Sequence, residues 1–277
     1  MPTCPTAKPS GESRYATRAV YDIHAHILPG VDDGAKTPED TVEMAQVAAD
    51  TGTKIILATP HRKDVTEGSS VAHIRELIED MNERITAQGN DLKLVLGMEN
   101  HLDVDLPDEI EAGRALPMNG SRYMLIEMPF FGRPNYIEDV LFKVQLQGIT
   151  PVLAHPERIE AFQHDIDLLA NFVERGMLTQ VTAGSVIGFF GKRVQAITNN
   201  MLQRNLVHVL ASDTHFPDGP RSPKLGIGIN SASKFVGQDA AMAMVVNTPK
   251  AILEDSSFEV ARPRERVAVR RWWKFWG

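Results

Sequence analysis

The chain has 277 residues, 43% of them hydrophobic, enough for a large core in one barrel-sized domain or two smaller ones. Its formal charge of −7 opposes general nucleic-acid binding, because phosphate backbones recruit clustered Lys and Arg. Cys4 is the only cysteine, and Ser10 stands where a cysteine phosphatase would need Arg, so neither an internal disulfide nor that chemistry is available.

Residues 1–18 are rich in Pro, Ser, Thr and Gly and read as a disordered extension. The run AVYDIHAH follows as a first strand, and within it His24 and His26 are two apart. Alternate side chains leave the same face of a strand, so both imidazoles project together, with Asp32 and Asp33 arriving just after. Further strands are expected at TKIILATP, LKLVLGME, YMLIEMP, TPVLAHP, LTQVTAG and NLVHVLASD. Helical patterns separate them, among them PEDTVEMAQVAADTG, VAHIRELIEDMNERITAQG, IEDVLFKVQLQG and DIDLLANFVERG, which end at Gly52, Gly89, Gly148 and Gly176. Strict alternation implies α/β architecture, a parallel sheet with helical crossovers, and seven such units favour a closed or nearly closed barrel over residues 19–260.

In such a barrel, chemistry gathers where strands end. His26, His61, Glu99, Glu127, His155 and Asp213 each fall at the C-terminal end of a candidate strand. Adding His24, Asp33 and His215 makes nine candidate metal ligands, too many for one ion and suited to two or three. Imidazole with carboxylate fits Mn, Fe, Zn or Co. Arg158 and Arg221 are placed to bind phosphate oxygens through their planar forks. Together these residues point to metal-dependent hydrolysis of a phosphoester.

The motifs DIHAHILPGVDDG, ATPH, GMEN, SRYMLIEMP, AHPER and SDTH resemble the polymerase-and-histidinol-phosphatase (PHP) metal-hydrolase superfamily. The first of them with its LPGVDDG continuation, and SRYMLIE, resemble one branch specifically: the bacterial manganese-dependent protein-tyrosine phosphatases encoded with capsule and exopolysaccharide genes. The resemblance covers about residues 21–253. It implies a distorted seven-stranded β/α (TIM-like) barrel of the PHP type with a trinuclear, most typically manganese, site. By the same resemblance His24, His26, Glu99 and Asp213 surround one metal. His61, Glu127 and His155 serve others with Glu99 bridging, Asp33 and His215 complete the third, and Arg158 and Arg221 bind phosphate and act in catalysis. The implied substrate is phosphotyrosine on the tail of a cytoplasmic tyrosine autokinase that controls polysaccharide export. Three departures stand out: DGPRSP holds one residue more than the usual spacing, ATPH continues into Arg62 rather than a second His, and Asn100 and His101 replace apolar or aromatic residues. These changes remove no ligand and bear on substrate preference.

Other residues carry plainer expectations. His208 reads as a packed strand residue, and His73 and His164 as solvated; His101, two residues from Glu99, is balanced between structure and substrate contact. Asp32 reads as a group that fixes the loop, and Asp22 as either an imidazole partner or a strand-edge residue. Phe130, Phe131, Phe189 and Phe190 follow strands and fit the core more readily than a substrate pocket. Residues 261–277 form a basic, Trp-rich tail in which Arg262, Arg264, Arg266, Arg270, Arg271 and Lys274 accompany Trp272, Trp273 and Trp276. Such a tail either packs on the barrel or contacts an anionic membrane surface. With no signal-peptide block and no apolar run of roughly 18 residues, the chain is expected in the cytoplasm, peripheral to the inner membrane at most. An oligomer is compatible with the sequence. The nearest rival function is a small-molecule phosphatase of the histidinol-phosphate phosphatase type; a polymerase-associated nuclease and a non-catalytic metal-holding domain fit less well.

Overall fold

The structure, a computed structural model, describes residues 19–265. Its strands are β1 (Val20–Ala25), β2 (Thr53–Ala58), β3 (Lys93–Leu96), β4 (Asn100–His101), β5 (Tyr123–Glu127), β6 (Thr150–Ala154), β7 (Leu178–Thr182) and β8 (Val209–Ala211). Every pairing is parallel, in the orders β1-β2-β3 and β4-β5-β6-β7-β8. All seven expected strands therefore form, but not as one seven-stranded sheet: the described residues hold eight strands in two sheets.

The extra strand comes from the run expected as LKLVLGME. Its first half pairs with β2 as far as Leu96 opposite Ala58. The chain then bends at Gly97, where a Cβ would meet the Leu57 side chain at 3.1 Å, and Asn100–His101 pair with β5 instead. One apolar run thus changes partners midway, which local patterning cannot reveal. At the far edges, β1 and the segment after β8 meet through the bridge Ala25–Thr214 and the bonds His26 N to Thr214 O and Asp213 N to His24 O, both 2.9 Å. Ile23, Leu57, Leu125, Val152, Leu178 and Val209, from six strands of both sheets, pack into one apolar cluster.

The four expected helices also form: α1 (Pro38–Asp50), α2 (Val71–Ala87), α3 (Ile137–Leu146) and α4 (Ile166–Glu174). In α1 the Thr37 side chain accepts from Asp40 N and Asp40 answers through the Thr37 N–H, a capping box that satisfies first-turn donors. Its buried residues Thr41, Met44, Ala45 and Ala48 lie on one helical stripe against the first sheet. Gly52, Gly89, Gly148 and Gly176 follow the four helices with positive φ, the left-handed conformation that closes a C-terminus.

Among the described residues, no helix is long and apolar enough to cross a membrane. The extension over residues 1–18 lies outside the described residues, as do Arg266, Arg270, Arg271, Lys274 and the three tryptophans of the tail. The start of the tail is described: Asn205 Nδ2 donates to Arg262 O, and Arg264 N donates to Arg204 O.

Candidate metal centre

Alternation along β1 sends His24 and His26 inward side by side, with their Nε2 atoms 3.3 Å apart. The other nitrogen of each ring has an acceptor. His26 Nδ1 donates to Asp32 Oδ2 and His24 Nδ1 to Gln180 Oε1, both at 2.7 Å. The ring protons are therefore on Nδ1, and the two Nε2 lone pairs face one another. Glu99 lies 3.4 Å and 3.3 Å from them, and Asp213 3.6 Å from each. Lone pairs and carboxylates at such separation repel unless a positive charge stands among them.

Asp32 reaches His26 because the loop after β1 folds back on itself. Ala35 N donates to His26 O, and at Gly34 a Cβ would lie 1.9 Å from that same oxygen. Only glycine allows this approach. Asp32 also accepts from Gly34 N, which fixes the carboxylate and carries Asp33 to the cavity rim. There Asp33 Oδ1 lies 3.2 Å from His215 Nε2 and 3.7 Å from His61 Nε2.

A second focus forms around Glu99, which sits between β3 and β4. His155 Nε2 is 2.8 Å from Glu99 Oε1 and 3.4 Å from Glu127 Oε1, and His61 Nδ1 is 3.1 Å from Glu99 Oε2. His155, directly after β6, has φ 32°, and Asp213, after β8, has φ 52°. Neither is glycine, so both hold a strained left-handed backbone at the point where they enter the site.

The charges confirm the crowding. Burial opposes a charge on His24 and His26, yet the surrounding carboxylates raise both pKa values, so the pocket draws positive charge to itself. Burial and the Glu99 charge push Glu127 up to about 7. Burial would raise Asp213 too, but His24 and Arg221 hold it well below the carboxylate range.

These groups line or underlie one cavity of about 480 Å³. Four overlapping sets have donor atoms within 4.8 Å of one another: His24, His26 and Asp213; His24, Glu99 and His155; His26, Asp33 and His61; and His61, His101 and Glu127. By geometry and donor type these residues fit several divalent cations.

Arg158 and Arg221 close the cavity. Arg158 Nη1 donates to Asp213 Oδ2 at 2.7 Å, and Arg221 Nη2 to Asp213 Oδ1 at 2.9 Å. The Arg158 guanidinium also lies between the Phe130 and Phe190 rings, 5.1 Å and 4.6 Å from their centroids. The segment leading to Arg221 is closed by a turn in which His215 N and Thr214 Oγ1 both donate to Arg221 O.

All nine expected ligands and both arginines thus come together. Asp32 fixes the loop and orients His26, whereas Asp22 bonds Ser212 and ties β1 to the segment after β8. His208 is buried beneath Thr179, whose N–H it accepts, and His73 and His164 are exposed. Asn100 turns away from the cavity and donates to Met98, Leu116 and Leu125 carbonyls, while Arg62 is buried against Asp103. Of the four phenylalanines, Phe130 lines the cavity, Phe190 backs Arg158, and Phe131 and Phe189 are exposed.

Sequence reasoning missed Gln180 and Glu157. Gln180 sits in mid-strand, 156 positions from the ring it orients, and no local signal marks it. Glu157 is buried next to Arg158 and accepts from Ser185 Oγ and Thr182 N. A charged residue inside the AHPER turn was the available clue.

The chain matches the family model described as capsular polysaccharide synthesis, CpsB/CapC, over residues 20–254. It belongs to that family. The tyrosine-protein phosphatase YwqE of Bacillus subtilis is 37% identical over 196 residues, 71% of this chain and 77% of the relative. The tyrosine-protein phosphatase CpsB of Streptococcus pneumoniae is 30% identical over 241 residues, 85% of this chain and 99% of the relative. A crystal structure from the study of these two proteins, described as unique metal-dependent tyrosine phosphatases, superposes with a TM-score of 0.81 at 32% identity. It covers 88% of this chain and 98% of the other.

Proposed function

We propose that this chain is a metal-dependent protein-tyrosine phosphatase that hydrolyses phosphotyrosine on the tail of a tyrosine autokinase controlling capsule or exopolysaccharide synthesis. The observation that carries this reading is the meeting of nine metal-type residues with two arginines in and beneath one cavity, in a chain whose relatives are tyrosine phosphatases. In this reading the two sheets are halves of one distorted barrel, supported by the apolar cluster they share.

His24, His26, Glu99 and Asp213 would hold one cation, Glu99 with His61, Glu127 and His155 would hold another, and Asp33 and His215 would contribute to a third. Cations bound there supply Lewis acidity, which lowers the pKa of water and offsets charge on the phosphoryl group. Mn fits this donor set, as do Fe, Zn and Co.

The chain's own residues do the rest. Arg158 and Arg221 hold non-bridging phosphate oxygens, exchanging bonds with Asp213 for bonds to substrate. The Arg221 Nε is buried without a partner and offers one more donor. Phe130, Tyr136, Leu102 and Met128 give the cavity an apolar wall against which an aromatic leaving group packs. Tyrosinate has a conjugate acid of pKa about 10, so it departs with less help from an acid than an alkoxide needs.

The test is turnover of a tyrosine-phosphorylated peptide, with elemental analysis, before and after chelation and on restoring Mn. Loss and recovery support the reading, and activity indifferent to chelator refutes it. A strong preference for an alkyl over an aryl phosphate would assign the chain to small-molecule phosphatases instead.

A further inference from the structure

His101 is not among the nine residues assigned to the centre, yet it stands inside it. Strand β4 is only two residues long, and its register sets His101 directly opposite Glu127 of β5. Neighbours in a parallel pair point to the same side, so the imidazole and the carboxylate enter the cavity together, with Nε2 3.1 Å from Glu127 Oε2. The His61 ring lies on the other side, with its centroid 5.3 Å away. His61, His101 and Glu127 offer one donor atom each, all within 4.8 Å of one another. Nδ1 of His101 is buried without a hydrogen-bond partner. Polar atoms buried in that state are costly unless another group satisfies them.

The backbone that presents His101 is well held. Leu102 N donates to Glu127 O at 2.8 Å, and the Asn100 amide binds three carbonyls at 3.0–3.1 Å. Asn100 and His101 therefore work as a pair: the first pins the short strand, and the second projects from it. The His101 side chain is 33% exposed and lines the cavity, so an ion can reach it from solvent.

We propose that His101 is a further metal ligand, which joins His61 and Glu127 on the cation already assigned to them with Glu99 and His155. An added imidazole suits that set of imidazoles and carboxylates, the donor types that divalent cations of this class take. This assignment rests on reading the cavity as a metal centre, and its test is chosen to separate the two.

Full-length protein is stripped with chelator and titrated with Mn²⁺, and bound metal is counted by elemental analysis after equilibrium dialysis. A parallel titration with Co²⁺ follows its visible absorption. The variants are His101→Ala, His101→Glu and His61→Ala, with the thermal midpoint of each checked in chelator. His101→Ala should weaken one binding step by at least about tenfold, as should His61→Ala, and leave the other steps in place. The cobalt spectrum should change with that step, and His101→Glu should restore much of the affinity. Unchanged stoichiometry, affinity and cobalt spectrum in His101→Ala would overturn the proposal. So would a defect confined to KM for an aryl phosphate, which would make His101 a substrate contact. If wild-type protein itself binds no ion, it is the metal-centre reading that fails. Metal binding is read without turnover, so the result stands whatever the substrate.

Discussion

Arg158 donates to Asp213 across 2.7 Å, so the residue proposed to bind phosphate is held by one proposed to bind metal. The salt bridge is buried on the aspartate side, and the guanidinium is braced by Phe130 and Phe190. Substrate therefore finds a donor already aimed and desolvated, which reduces the ordering cost of binding.

Replacing Arg158 with Ala should lower kcat/KM for a tyrosine-phosphorylated peptide by on the order of a hundredfold. Metal content by elemental analysis should not change. Arg158→Lys should recover little, because an ammonium cannot reproduce the fork or its stacking between two rings.

Asp32 touches His26 Nδ1 and is not itself a proposed ligand. Its removal in Asp32→Ala frees the imidazole to rotate and lowers its basicity. Metal affinity should fall roughly 10–100-fold by equilibrium dialysis at the step assigned to His26. Affinity equal to wild type would show that ring orientation is held elsewhere.

Gly34→Ala places a methyl group against His26 O, where the ideal Cβ lies 1.9 Å away. The contact is to backbone and cannot be relieved by a side-chain rotation. A loss of about 1–3 kcal/mol or more in denaturant unfolding is expected. Metal binding should weaken too, because Asp32 and Asp33 ride on the same loop.

The Glu157 carboxyl is pushed up from 4.5 to about 7, chiefly by burial, while Ser185 and Thr182 pull it partly back. Between those two values the folded chain keeps a proton that the unfolded chain has lost. Stability of chelated protein should therefore fall as pH rises from 4.5 to about 7, by on the order of 3 kcal/mol from this group, and level off above. Glu157→Gln should show a flatter profile of thermal midpoint against pH over that window. An unchanged slope would place the titration on other buried groups, such as Glu127, which is also raised to about 7.

Much of the centre was legible because its signals are local. Two histidines two residues apart in a strand must share a face, as His24 and His26 do. Ligands at the ends of apolar runs also sit at strand ends, as Glu127 and His155 show. The split of the sheet was not legible, because LKLVLGME reads as one extended run whether or not the chain changes partner at Gly97.

The amino-acid order alone determined the candidate ligand types, the places of most of them at the ends of strands, and the resemblance to a phosphatase family, since each depends on short local motifs. Tertiary structure decided the pairings: His24 with Gln180, Asp213 with both arginines, and His101 with Glu127. Those contacts follow from which strands lie side by side and in what register. The free energy behind that choice is spread over the whole core, and no short stretch of sequence carries it.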